Sequence, residues 1–410
     1  MNSTATASGS LENVYLDNNA ATRVDSQVLS AMLPYFRDLF GNPSSSHSFG
    51  RQLEDALRQA RRRVQELVGA AFDHEIVFTS GGTESNNTAI LSALETPTGR
   101  NEVITSTVEH PAVLTLCAHL EQNRGIKVHR IPVDAAGRLD IEAYRQALGP
   151  KTAIVSCMWG NNETGTIFPV EQLAEMAHVA GALFHTDAVQ AVGKINVTLL
   201  RSHIDMASFS AHKFHGPKGI GALYVRKGTR FTPLIRGGRQ ERGRRAGTEN
   251  IPAIVGFGKA AELARGCMPT ELPRIRALRD RLQEELLRRV SGAIVLGDRE
   301  SRLPNTLNIG FEYLESDEIL ILLDRARIAA SSGSACTTGM VEPSHVLRAM
   351  KVPYTVARGA VRFSFSRENS ERDVDHVLNV LPGIVEKLRA VRPAVPGWAA
   401  NVQRQSASAG

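Results

Sequence analysis

The stretches "GALFHTDAVQAVGK" (residues 181–194) and "IDMASFSAHKFHGPKG" (residues 204–219) decide how this chain folds. Each begins with an apolar run of strand length. The first ends at Asp187, and the second is followed by Lys213, 26 residues further on. That separation is about one strand–helix–strand crossover. Ligands of open α/β sheets bind at the carboxyl ends of strands, so the acid and the lysine are expected to face one crevice. Taken singly, each residue also reads as a strand-end cap or a surface ion pair.

The pattern continues outward from this pair. "EIVFTS" (75–80), "EVITSTV" (102–108), "TAIVSCMW" (152–159) and "GALYV" (221–225) are further strand-like runs, with helical patterns between several of them. "RQLEDALRQARRRVQELVGA" (51–70) puts Leu53, Leu57, Ala60, Val64, Leu67 and Val68 on one helical face. Such alternation predicts an α/β domain with a mostly parallel sheet flanked by helices. After about Gly266 the texture changes. "ELPRIRALRDRLQEELLRRV" (271–290) reads as a long amphipathic helix, and "NTLNIGF", "RIAASS" and "AVRFSFS" as shorter strands, which predicts a smaller α+β domain. At 410 residues the chain exceeds what one core usually serves.

Composition narrows the class. The chain is 42% hydrophobic and 22% charged with a net charge of +6, as expected for a soluble globular protein. That charge does not argue for nucleic acid or membrane. Cys117, Cys157, Cys267 and Cys336 lie far apart with no CxxC pair, so a disulfide framework is not expected. No apolar run reaches membrane-spanning length, and the N-terminus lacks the apolar region of a signal peptide. The cytoplasm is the expected location.

Several residues suit one cofactor. A lysine that can form a Schiff base, with an acid that can pair with a ring nitrogen, is the pattern expected for pyridoxal 5'-phosphate (PLP). "TSGGTES" (79–85) lies between a strand and a helix, where backbone N–H groups and the helix N-terminus favour an anion. Thr83 adds a hydroxyl, or caps an ordinary turn. His110 sits at a strand-to-helix junction, where a flat ring can stack on a planar cofactor and move protons. His212 and His215 resemble a metal pair, but no carboxylate or thiol completes a nearby ligand set, so no metal is expected. "RGGRQERGRRAGTEN" (236–250) is arginine-rich but has no interleaved aromatics and is interrupted by Glu241 and Glu249. It is read as a structured loop at a subunit interface or phosphate site.

"YLDNNAAT", "FGNPSSSHSFG", "EIVFTSGGTESNN", "VEHPAVL", "NNETGTIFPV", "HTDAVQAVGK", "FSAHKFHGPKGIGALYVR", "GGRQERGRRAGTEN", "SSGSACTTG" and "EPSHVLRAM" occur in this order. Together they resemble the PLP-dependent cysteine desulfurases of the class V aminotransferase family, from about Tyr15 to Leu388. "NNETGT" and "ERGRRAGTEN" most resemble the nitrogen-fixation branch. The resemblance implies a fold-type-I PLP transferase. Its parts would be an N-terminal arm (1–20), a large PLP-binding domain (21–265), a small domain carrying the cysteine loop (266–392) and a flexible tail (393–410).

The same resemblance implies the site. Lys213 would carry the Schiff base, Asp187 would pair with the pyridine nitrogen and Gln190 with the ring hydroxyl. His110 would stack on the ring and help move protons. Gly82, Thr83, Ser210 and His212 would hold the phosphate, and Thr248 would reach the phosphate of a second subunit in a homodimer. Asn162 would lie beside cofactor and substrate, Arg362 would clamp the substrate carboxylate, and Asn18 would line the same pocket. Cys336, on the small-residue loop "SSGSACTTG", would be the thiolate that takes sulfur from L-cysteine as a persulfide, leaving L-alanine. It is also a possible transient iron–sulfur ligand. The sulfur would pass to an iron–sulfur scaffold protein, for nitrogenase maturation. The alternatives on this fold are an aminotransferase or selenocysteine lyase, in which Cys336 is dispensable, or a non-catalytic scaffold.

Overall fold

The computed structural model describes residues 13–96, 99–332 and 342–391. In chain order the strands are β1 (Val14–Tyr15), β2 (Ile76–Thr79), β3 (Glu102–Ser106), β4 (Lys127–Ile131), β5 (Thr152–Ser156), β6 (Leu183–Asp187), β7 (Met206–Ser210), β8 (Gly221–Val225), β9 (Ala293–Val295), β10 (Thr306–Phe311), β11 (Ile328–Ala329) and β12 (Ala360–Ser364). Seven of them form the main sheet in the order β2-β8-β7-β6-β5-β3-β4. Strand β8 is antiparallel to both neighbours, β2 and β7. The pairs from β7 through β6, β5 and β3 to β4 are parallel. Hence β2 runs with the parallel set, and six carboxyl ends share one edge of the sheet.

Helices cover both faces, which is why these strands read as continuous apolar runs and not as alternating ones. Neighbouring residues feed opposite cores: Ile104, Val155 and Phe184 join one cluster, Val103 and Ile154 the other. Helix Ser48–Leu67 buries Leu53, Ala60, Val64 and Leu67, as its periodicity predicts. It packs on helix Ile251–Arg289, and a Cβ on Gly258 would lie 2.5 Å from the Ala60 Cα. That contact requires glycine.

A second core gathers under the antiparallel sheet β12-β10-β9. Ile275, Leu278, Leu282 and Leu286 enter it from the carboxyl half of helix Ile251–Arg289, and Val374, Val377 and Leu381 from helix Glu371–Ala390. Burying one such leucine contributes about 1.5–3 kcal/mol. The position expected as a boundary, 265–266, falls inside this continuous helix. The chain crosses between the cores elsewhere too. Leu16 lies in the second core, with β1 paired in parallel to β11, while Val346, Leu347 and Met350 lie in the first. Segment 17–22 and β12 therefore meet the carboxyl edge of the main sheet, where Asp17 bridges to Ser364.

Candidate functional site

That edge holds a cavity of about 420 Å³. Its volume lies within the ordinary range for small-molecule and cofactor sites. Each strand end supplies part of the wall. Gly82, Thr83 and Asn86 come from the helix after β2, His110 from the turn after β3, and Met158, Gly160 and Asn162 from the loop after β5. Asp187 ends β6 and Gln190 follows it, while Ser210 ends β7 and His212 and Lys213 follow it. Arg362, from β12, and Asn19 with Ala20, from the segment after β1, complete the wall.

Asp187 is buried. Its Oδ2 accepts from Asn86 Nδ2 at 2.6 Å and its Oδ1 from the Val189 amide at 3.0 Å. Lys213 Nζ donates to the carbonyls of Asn19 and Ala20, both at 2.8 Å. Burial, aided by the Arg362 charge, pushes this lysine down to about 8. It therefore gives up its proton far more readily than a surface lysine. His110 caps helix Pro111–Arg124, its Nδ1 accepting from the Ala112 amide at 3.1 Å. A neutral ring then carries its proton on Nε2. The surrounding protein lowers its affinity for a second proton, although the ring still opens onto the cavity. His212 is pushed down to about 4 by burial and by Lys213, and its Nδ1 lies 2.9 Å from the Ser210 hydroxyl.

Arg362 donates to Asp17 Oδ1 at 2.7 Å and to the Asn162 carbonyl at 3.1 Å. Its buried Nε has no hydrogen-bond partner among the described residues, nor has Asn86 Oδ1. Gly82 leaves room that a side chain would fill, since a Cβ there would stand 2.7 Å from Val189 Cγ2. A lysine amine, a buried strand-end carboxylate, hydroxyls at a glycine-led helix N-terminus and a buried guanidinium fit a phosphorylated pyridine aldehyde and an amino-acid carboxylate.

Asn18 and Thr248 do not line this cavity. Asn18 turns away from the cavity: its Nδ2 donates to the Ser364 carbonyl at 2.8 Å. The next residue, Asn19, takes the place at the wall, with its Nδ2 on the Asn162 carbonyl at 3.0 Å and on Thr306 Oγ1 at 2.9 Å. Thr248 lines a neighbouring pocket with Ser80, Gly219 and Arg245. Cys336 lies outside the described residues. Both flanks of its segment can be placed. Ser331 and Arg362 exchange backbone hydrogen bonds at 3.2 and 2.6 Å. On the other side Ser344 donates to Glu163, and His345 Nε2 donates to the Glu109 carbonyl at 2.9 Å.

Sequence reading missed Asn86, Asn19 and two buried acids. Asn86 is one helical turn after Gly82, on the face toward the sheet edge. Glu109 and Glu163 are buried, and burial pushes them up to about 8 and about 7. Nothing in their local sequence signals burial. The histidines read as a metal pair have separate partners, the Ser210 hydroxyl for His212 and the Arg23 carbonyl for His215. In the arginine-rich loop, Arg236 pairs with Glu95, Arg245 with Glu84, and Arg244 donates to the His74 carbonyl. No helix among the described residues is long and apolar enough to cross a membrane.

The family model for class-V aminotransferases matches residues 14–377. A cysteine desulfurase of Gluconacetobacter diazotrophicus is 67% identical over 387 residues, covering 94% of this chain and 97% of the relative. A cysteine desulfurase NifS of Azotobacter vinelandii is 56% identical over 391 residues, covering 95% and 96%. Among solved structures, a NifS-like protein superimposes with a TM-score of 0.86 at 39% identity, covering 92% of this chain and all of the other. SspA in complex with cysteine superimposes with a TM-score of 0.76 at 36% identity, covering 86% and 98%.

Proposed function

Because this chain belongs to the class-V aminotransferase family, among its PLP-dependent cysteine desulfurases, we propose that Lys213, Asp187 and Arg362 carry its reaction on L-cysteine and that Cys336 receives the sulfur. The convergence of Lys213 and Asp187 on one cavity carries this reading. When bound, PLP withdraws electron density from the substrate Cα and so eases loss of its proton.

The chain's own residues do the rest. Lys213 would hold the cofactor and, as a free amine, would take the proton from the substrate Cα, for which its lowered proton affinity suits it. Asp187, whose carboxylate is steadied by Asn86 and the Val189 amide, would hold a proton on the pyridine nitrogen. Gln190 would donate to the cofactor's ring oxygen, and the His110 ring, which lines the same cavity, would lie against the cofactor. Gly82, Thr83, Ser210 and His212 would hold the phosphate. Arg362, steadied by Asp17 and beside Asn162, binds the substrate carboxylate. The Cys336 thiolate attacks the substrate sulfur and the carbon–sulfur bond breaks. The products are a persulfide on Cys336 and, after protonation of the carbon skeleton, L-alanine. Both flanks of its segment lie beside the cavity, at Ser331 next to Arg362 and at His345 next to Glu109.

The persulfide passes to an iron–sulfur scaffold protein in the cytoplasm, for nitrogenase maturation. This assignment rests on the wording of "NNETGT" and "ERGRRAGTEN". The working form is a homodimer. Thr248 sits outside its own cavity, and Leu29, Leu33, Phe36 and Phe40 are exposed. Sedimentation of a monomer at micromolar concentration would sink the dimer.

The decisive experiment measures alanine and sulfide released from L-cysteine with a thiol reductant, for the wild type and for Cys336→Ala. Loss of turnover in a variant that keeps its cofactor supports the assignment. Full turnover in that variant refutes the persulfide role and favours a lyase or aminotransferase. Transfer of labelled sulfur to a purified iron–sulfur scaffold tests the acceptor.

A further inference from the structure

Lys194 is buried four residues after Gln190, and no motif role uses it. It does not line the cofactor cavity; it borders two other pockets behind the wall. Its Nζ donates to Asn19 Oδ1 at 3.0 Å and to Gln190 Oε1. It makes no ion pair among the described residues. A buried amine without an acid partner is costly, and a methionine of similar length would pack there at less cost. The position therefore calls for an explanation in terms of what the amine holds.

It holds two amides. Gln190 Nε2 donates to the Asn19 carbonyl at 2.9 Å, while its Oε1 faces Lys194. A flipped carboxamide would set its Oε1 against the Asn19 carbonyl oxygen, two acceptors facing each other, so the carboxamide is held in this orientation. One N–H of Gln190 is thereby left for the cavity that Gln190 lines. The Asn19 side chain is fixed likewise, its Oδ1 accepting from Lys194 and, at 3.0 Å, from Asn305. The Asn19 backbone carbonyl receives the Lys213 amine. Two N–H bonds satisfy both acceptors, and amine and ammonium forms each supply them.

We propose that Lys194 is a positioning residue for the desulfurase reaction: it locks Gln190 with an N–H toward the cofactor's ring oxygen and, through Asn19, fixes the carbonyl that receives Lys213. This rests on the roles given above to Gln190 and Lys213. The titratable and charged groups around Lys194 are Lys213, Arg362, His212 and His215, with Glu271, Arg276, Asp280 and Arg367 across the two pockets it borders.

The test compares PLP-loaded wild type with Lys194→Met and Lys194→Gln. It follows the pH midpoint of the cofactor's visible absorption change, PLP affinity by tryptophan fluorescence, and melting temperature. Loss of the donor makes a negative ring oxygen less favourable, so Lys194→Met should raise the midpoint by about one unit. It should also weaken PLP binding by about tenfold. Lys194→Gln, which keeps an N–H donor, should shift the midpoint less. In a Gln190→Leu background, Lys194→Met should add no further shift. An unchanged midpoint and affinity, with only a lower melting temperature, would make Lys194 structural and overturn the proposal. A shift undiminished in the Gln190→Leu background would overturn it too, as would failure of both Lys194 variants to fold. A wild type showing no cofactor band when loaded would instead refute the cofactor site itself.

Discussion

Asn86 Nδ2 donates to Asp187 Oδ2 at 2.6 Å, tying the helix after β2 to the end of β6 across the sheet edge. The carboxylate is buried, and its other oxygen takes the Val189 amide. Hydrogen bonds to a charged group contribute about 1.5–3 kcal/mol each. Asn86→Leu is therefore expected to weaken PLP binding by about 10–100-fold while leaving the fold intact. Cofactor content after dialysis and a PLP titration measure this; unaltered retention would separate Asp187 from the cofactor.

Lys213 should set a limb of the pH profile. Its free amine takes protons and its ammonium does not. Lys213 is a free amine only once the substrate has released it, and burial pushes it down to about 8, so kcat should rise with pH through that value and then level off. Lys213→Ala should lose roughly 10²–10⁴-fold in turnover, since acid–base catalysis typically contributes that much. A profile of alanine formation from pH 6.5 to 9.5 with constant ionic strength checks the limb.

Arg362 is held by Asp17 and by the Asn162 carbonyl, which aims its planar fork. Lysine offers a single charge in place of two parallel donors. Arg362→Lys should raise KM for L-cysteine by roughly 10–100-fold, with a smaller change in kcat. Steady-state kinetics decide this, and an unchanged KM would place the substrate carboxylate elsewhere.

Glu163 and Glu109 make stability depend on pH. Burial raises them to about 7 and about 8, above the ordinary value of 4.5. The folded protein then holds these protons more tightly than the unfolded chain does. The associated stability is complete below pH 4.5 and is lost as pH rises through 7 to 8. Glu163→Gln should flatten this slope by an amount on the order of 1–3 kcal/mol across the window. Urea unfolding at several pH values reads it; an equal slope in both proteins would mean Glu163 is ionised in the fold.

Leu282 is fully buried in the second core. Leu282→Ala should cost about 2–5 kcal/mol. Chemical denaturation of the PLP-free protein measures the loss.

The sequence by itself determined the alternation of strands and helices, because continuous apolar runs of strand length set between helical patterns call for a sheet covered on both faces. It also determined that Asp187 ends one such strand and Lys213 closely follows another, which is enough to aim them at one edge. Amphipathic spacing was equally sufficient for the helix bearing Leu278, Leu282 and Leu286. What tertiary structure decided was every contact made across distant segments. Neighbouring asparagines look alike in sequence, yet β12 captures the Asn18 carboxamide and the cavity wall takes Asn19. Asn86 gains its role only because the sheet order brings its helix to β6, and Lys194 looks like any surface lysine until 19, 190 and 305 close around it. Burial of Glu109, Glu163 and Lys194 depends on which segments pack over them. Local sequence carries no record of that, because desolvation is set by the whole surrounding volume and not by the residues on either side.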